Sequence, residues 1–313
     1  MHQRPDLKAI LLAFAGIYII WGTTFLAIAL AIRTIPPFFS GGVRFLAAGV
    51  IMYAYLRLRG QRQVFAGLSI GGTLLCGVLL SGIGNGFIIW GQQALPSGIA
   101  ALFVGGLPVL ILLFDWMFFS RRAPTRLAAI GLALGFSGLI VLSLNTHSLS
   151  GKVRPAHVIM VLLAEVGWSL GTLLQRRYVG PDRVQNFTCL QMLAGGAFQL
   201  LAGLVDREWI GFSPAQVSLQ SMLAVLYLTV FGSLIAANCY SFLVAHVPAQ
   251  QISTYALVNP VIALSLGALV LGEKITPATA LAALLVALGV ALVLWSRRLP
   301  SAPELAVSPR RLV

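Results

Sequence analysis

Residues 95–109 read LPSGIAALFVGGLPV, and residues 247–261 read VPAQQISTYALVNPV. Each stretch has a proline near its start, Pro96 or Pro248, and a second one near its end, Pro108 or Pro260. Pro108 and Pro260 each fall about 11 residues into an apolar run, near the middle of a bilayer-length helix. A proline there removes one backbone hydrogen bond and clashes with the preceding turn. A membrane helix tolerates the freed carbonyls where they face protein or a cavity. Gly105 and Gly106 loosen the turn before Pro108, and Asn259 places an amide before Pro260. A single break of this kind is readily a packing kink. Its recurrence at matching places predicts an internal repeat whose breaks line a cavity.

Other segments repeat in the same order. YIIWGTTF (18–25) matches AEVGWSLG (164–171), setting Trp21 against Trp168. RFLAAG (44–49) matches QMLAGG (191–196), and Asn85 matches Asn238. Apolar runs of helix-spanning length fall at roughly 9–30, 37–56, 67–90, 97–119, 126–144, 156–176, 185–205, 218–243, 249–271 and 277–296. The fold class expected is all-α and integral to the membrane, with ten transmembrane helices as two inverted five-helix repeats. The inversion follows from parity: a unit with an odd number of spans is inserted upside down when it is repeated. The units are residues 9–145 and 156–296, flanked by an N-terminus (1–8) and a disordered tail (297–313), both expected in the cytoplasm.

Composition supports the membrane assignment. The chain is 58% hydrophobic and 9% charged, with a mean hydropathy of +0.93; a soluble domain carries about 25% charged residues. The N-terminal apolar stretch is too long for a signal-peptide core and has its own counterpart in the second half, so a retained helix is expected. With both termini in the cytoplasm, 15 Lys and Arg fall in cytoplasmic segments and 5 in outer ones, the bias expected for a multi-pass inner-membrane protein. The net charge of +13 therefore orients the chain. It forms no basic stripe with interleaved aromatics, so nucleic acid is not an expected partner.

Enzyme chemistry finds little support. There is no phosphate-binding loop and no HExxH. His2, His147, His157 and His246 are scattered near span ends, so no metal or cofactor is expected. Cys76, Cys189 and Cys239 lie inside apolar runs, as small packing residues do. The serine of GFSG (135–138) has no mid-span histidine to serve as its base, and helix packing explains glycines at that spacing.

The candidate binding residues lie deep in the spans. Trp21 and Trp168 sit away from the interfaces where tryptophan usually anchors a helix, and as a matched pair they suit the walls of a central cavity. Asn85, Asn238 and Asn259 supply hydrogen-bonding groups; helix–helix bonds are the competing reading for Asn85 and Asn238. Tyr240 and Tyr255 are weaker candidates of the same kind. Glu165 lies about 14 Å deep at 1.5 Å per residue. It shares one helix face with Trp168 and Thr172. A carboxylate facing lipid is costly, so this face is expected to point inward, to bind a cation or couple protons. The competing reading is a structural partner for Arg44. Arg44 itself is expected to pack or orient its helix, with a stem long enough to snorkel to the interface or the loops. Asp115 reads as an interfacial acid.

These residues resemble a known family. YIIWGTTFLAIALAIRTIPPFFSGGVRFLAAG is similar to the opening of the EamA family of the drug/metabolite transporter superfamily. LPSGIAALFVGGLPV and YALVNPVIALSLGALVLGEKITPATALAALLVALGVALVL resemble the ends of its two repeat units, and GNG at 84–86 with PSGIAAL resembles the YedA-like exporters. The resemblance spans roughly residues 9–296. It implies ten helices around a central cavity and secondary transport, usually export, of small metabolites, amino acids or amphipathic drugs. The implied partners are a small-molecule substrate, protons and the lipid bilayer. Its motif points to Trp21, Gly22, Arg44, Asn85, Pro108, Asn259, Pro260 and the LGE at 271–273. Two features depart from it: FSRRAP stands where the second repeat has LGEKIT, and Glu165 replaces a small or apolar residue. A non-transporting membrane scaffold is the alternative, and an intramembrane enzyme a more distant one.

Overall fold

The computed structural model describes residues 6–121, 123–145, 153–247, 252 and 254–296. Pro248, His2, His147 and the tail from 297 lie outside the described residues. Ten apolar helices run back and forth, with no strand among the described residues. They are α1 (Leu7–Ala31), α2 (Pro37–Leu58), α3 (Ile70–Gly91), α4 (Ser97–Ser120), α5 (Arg126–Asn145), α6 (Pro155–Tyr178), α7 (Val184–Val205), α8 (Leu219–His246), α9 (Tyr255–Leu271) and α10 (Pro277–Ser296). Nine of the described helices are long and apolar enough to cross a membrane, and α9 is a shorter apolar helix. We call the side where α1 begins the terminal face.

Local chemistry sets the helix ends. The Asp6 side chain accepts the Lys8 N–H at 3.1 Å ahead of α1. Pro37, Pro155 and Pro277 open α2, α6 and α10, where proline's missing N–H costs nothing. Gly272, with φ 66°, ends α9 in the left-handed region that glycine adopts freely.

The main helix pairs form a set that maps onto itself when the two halves are exchanged. α2 packs on α7, α4 on α9 and α5 on α10. α1 packs on α8 and α9 just as α6 packs on α3 and α4, and α2 meets α8 as α7 meets α3. The equivalence holds at residue level. A Cβ on Gly49 would lie 2.7 Å from Leu193 Cδ2, and one on the equivalent Gly196 would lie 2.7 Å from Leu46 N. Small residues let these helices approach closely. Gly131 and Gly289 do the same between α5 and α10.

Three helices depart from regular α geometry. α3 and α8 contain wide π-type turns, Val78–Asn85 and Leu228–Ala236, the second longer by one residue. α4 is interrupted at Gly106, just before Pro108, and its end, Asp115–Ser120, is also wide. Pro260 stays within a continuous α9. Such turns are frequent at functional sites.

The turns between helices bind one half to the other. Glu208, after α7, accepts the backbone N–H groups of Phe38 (2.9 Å) and Phe39 (2.8 Å) at the start of α2. Burial pushes the Glu208 carboxyl above its ordinary range, those two hydrogen bonds pull it back, and nearby Asp206 raises it again. The equivalent position in the first half is Gln61, whose Oε1 accepts from Asn186 Nδ2 at 2.6 Å at the start of α7. Glu273, after α9, accepts from Ser97 N (2.6 Å) and Gly98 N (3.0 Å) at the start of α4.

Candidate functional site: a polar cavity between the two halves

Mid-molecule, α1, α2, α3, α4, α6 and α9 surround a cavity of about 50 Å³. Glu165 points into it. Gly167 and Gly171 press α6 against Ile83 and Leu80 of α3, which turns the face bearing Glu165, Trp168 and Thr172 toward the centre. Glu165 is 1% exposed, and neither carboxylate oxygen has a hydrogen-bond partner among the described residues, Arg44 included.

Arg44 enters from the other side. It is 2% exposed and lines the cavity, so its stem does not snorkel to an interface. The wide turn of α8 explains this. It presents Ser233, whose hydroxyl accepts from Arg44 Nε at 2.8 Å, and Gly232, where a Cβ would lie 2.8 Å from Nη2. The guanidinium also sits 4.6 Å from the centroid of the Phe45 ring. Arg44 Nη1 has no partner among the described residues. Gln191, the equivalent residue of α7, reaches Ser81 on the wide turn of α3 at 3.4 Å.

Four aromatic rings close the cavity toward the terminal face. Trp21 meets Trp168 at 5.4 Å between centroids, Tyr240 at 5.1 Å and Tyr255 at 5.4 Å. Tyr240 also contacts Trp168 and Tyr255, and its hydroxyl is 2.7 Å from Thr172 Oγ1. A hydrogen bond joins Tyr18 to Thr254 beside them. Trp21 Nε1 donates to the carbonyl of Gly232 at 3.4 Å. Toward the opposite face, Phe25 and Ile88 pack with Ala100, Ala101, Ala164 and Ala263.

The cavity gathers polar atoms that the protein leaves unpaired. Both oxygens of Glu165, Arg44 Nη1, Trp168 Nε1, the Tyr255 hydroxyl and Asn259 Oδ1 are buried with no partner among the described residues. Buried polar groups are nearly always hydrogen-bonded. A concentration of exceptions around one cavity marks a place suited to a partner offering both donors and acceptors; at about 50 Å³ it has room for water as it stands, and a drug-sized molecule needs it to widen to roughly 300–1,000 Å³.

Of the residues singled out in the sequence, Trp21, Asn85, Glu165, Trp168, Tyr255 and Asn259 line this cavity. Pro108 and Pro260 are buried in helix packing instead; a Cβ on Gly105 would lie 3.1 Å from Pro260 Cγ. Asn238 is not part of the cavity. It donates to Leu234 O at 2.7 Å and lines a separate cleft. Arg44, Thr24, Phe25, Ile28, Ile88 and Val104 complete the lining. Arg44 carried a signal in the sequence as a basic residue within a span; the apolar members carried none. No group of three His, Cys, Asp or Glu able to hold a metal occurs among the described residues.

A family model described as the EamA-like transporter family matches residues 7–144 and 156–295. The chain belongs to the EamA-like transporter family. Among its EamA relatives, the inner membrane transporter YedA of Escherichia coli K12 is 34% identical over 296 residues, covering 94% of each chain. Protein PagO of Salmonella typhimurium LT2 is 28% identical over 298 residues, covering 93% of this chain and 95% of PagO. A solved crystal structure with 23% identity shares the fold, with a TM-score of 0.64 over 93% of this chain and 99% of the other.

Proposed function

We propose that the chain is a secondary transporter that exports small metabolites, amino acids or amphipathic drugs by alternating access. The observation that carries this reading is the set of unpaired polar atoms of Glu165, Arg44, Tyr255 and Asn259 around one cavity at the junction of the two halves. Inverted repeats place substrate sites at such junctions. In this reading Trp21, Trp168 and Tyr255 give apolar and cation–π contact, Asn85 and Asn259 give hydrogen bonds, and Glu165 exchanges a proton or holds the cationic part of the substrate. The aromatic cluster is the gate on the terminal side, and the Lys and Arg bias supports reading that side as cytoplasmic. The unit 9–145 rocks against the unit 156–296, and no catalytic step is assigned.

The test is reconstitution in liposomes holding a pH-sensitive dye, with a pH gradient and pooled amino acids, metabolites and cationic dyes. A compound that moves protons through the wild type and not through Glu165→Gln supports the reading. Equal compound flux and equal proton flux in both proteins remove Glu165 from coupling. No flux of any compound through correctly folded wild type counts for the scaffold alternative.

A further inference from the structure

A second cleft opens on the flank of the molecule toward the terminal face. It lies between the first half of α1, the last half of α8 and the start of α7, shares no lining residue with the central cavity, and has a volume of about 690 Å³. That volume is within the range of small-molecule sites. Its deep end closes where α1 and α8 touch: a Cβ on Gly16 would lie 3.1 Å from Cys239 Sγ. Along α8 the lining runs from Ile235 to His246, a depth of about 16 Å at 1.5 Å per residue.

Polarity changes along this depth. Ala13, Ile235 and Phe242 line the inner part with one amide, Asn238, among them, and Gln61, Asp182, Gln185, Asn186 and His246 line the mouth. A molecule with a hydrocarbon tail and a polar head matches that order. The chain carries a net charge of +13, with most of its Lys and Arg in segments on this side. Yet among the described residues no Lys or Arg lines the cleft, and Asp182 is exposed at its mouth. The neighbouring Arg183 is turned to the Ala66 carbonyl at 2.8 Å, so a lipid phosphate in the cleft would find no guanidinium among its described lining residues. An ammonium group would find a carboxylate.

We propose that this cleft binds an amphipathic amine drawn sideways from the adjoining membrane leaflet, with the tail between α1 and α8 and the ammonium group at Asp182. The inference stands on a cavity separate from the transport site and is tested by binding alone, so either reading can fail without the other.

Cys239 serves as the reporter. It is partly exposed in the cleft, whereas Cys76 and Cys189 are buried. The protein is placed in phosphatidylcholine nanodiscs, and labelling by a small uncharged maleimide is timed with dodecyltrimethylammonium or dodecyl sulfate present. The ammonium compound is expected to slow labelling and the sulfate not to. Asp182→Asn is expected to weaken the protection about threefold, the scale of an exposed ion pair, and Asp182→Glu to restore it. Equal protection by both amphiphiles, or protection unchanged in Asp182→Asn, overturns the proposal in favour of unselective filling by hydrocarbon. A diazirine-bearing alkylamine gives a reading independent of the thiol. Cross-links mapped to residues 9–16 and 235–246 support the site, and cross-links confined elsewhere overturn it.

Discussion

Trp21 and Trp168 hold equivalent positions in the two halves and touch each other, edge to face, at 5.4 Å and 82°. Equivalent residues meet only beside the axis that relates them. The pair therefore places the pseudo-twofold axis at the cavity, and Glu165, one turn from Trp168 on α6, lies next to it.

This placement predicts a split between fold and function at Trp168. Its Nε1 lies beside the Tyr240 and Tyr255 hydroxyls but makes no well-aligned hydrogen bond to a described residue, so Trp168→Phe keeps the ring contacts and is expected to unfold close to the wild-type temperature. Trp168→Ala removes them and is expected to cost about 3–5 kcal/mol. Thermal unfolding in detergent, paired with substrate counterflow, checks both. A Phe variant that folds normally and loses transport assigns Nε1 to the substrate; one as unstable as Ala contradicts the contact argument.

The crossing of α2 and α7 predicts unequal tolerance at two matched glycines. A Cβ on Gly196 would meet backbone atoms, Leu46 N at 2.7 Å and Gly42 O at 3.0 Å, whereas one on Gly49 would first meet the Leu193 side chain. A leucine side chain can rotate away and a helix backbone cannot. Gly196→Ala is expected to cost more than Gly49→Ala, within the overpacking range of about 1–3 kcal/mol. Melting temperatures of the two variants in the same detergent decide it, and equal losses would contradict the geometry.

Glu273 caps α4 through two backbone N–H groups, and a carboxylate at a helix N-terminus also meets a favourable dipole. Glu273→Ala strands both donors and is expected to cost about 1–3 kcal/mol. Glu273→Gln keeps one acceptor and is expected to cost less. Hydrogen exchange at residues 97–100 should quicken in the order wild type, Gln, Ala. Unchanged exchange in the Ala variant would deny the cap.

Glu208 predicts a pH effect with a fixed sign. Burial holds its folded-state pKa above the unfolded value despite the two hydrogen bonds. Such a group contributes stability that is fully present below the unfolded pKa and is lost as pH rises through the folded one. Across that acid window the wild type should lose stability with rising pH relative to Glu208→Gln, which has no proton to release there. Parallel melting curves for the two proteins would contradict the assignment.

Much of this fold is legible in the sequence because it is written in long-range patterns. Apolar run length gives the helices, and the order of matched motifs gives the inverted halves. Glu165 is legible because a charge in lipid is costly wherever it lies. The place of Arg44 in the cavity is not legible because the pocket that receives it is made by Gly232 and Ser233 on a wide turn of α8, and single-residue patterns do not announce a wide turn. The same turn is one residue longer than its counterpart in α3, and Asn85 and Asn238 occupy different cavities in spite of their matching positions. The partners of Glu208 and Glu273 are backbone N–H groups distant in the chain, which no side-chain motif encodes.

The paired turns at Gln61 and Glu208 carry one more consequence. Both brace the start of a helix in the other half, but Gln61 does so with an amide and Glu208 with a carboxylate. An amide holds its grip across the physiological pH range, whereas a carboxylate changes its bonding once protonated. Of these two braces, only one responds to acid, and it faces one compartment alone. A duplicated, inverted chain thereby differs between its two copies of one turn: the copy at Glu208 carries a titratable group and the copy at Gln61 does not.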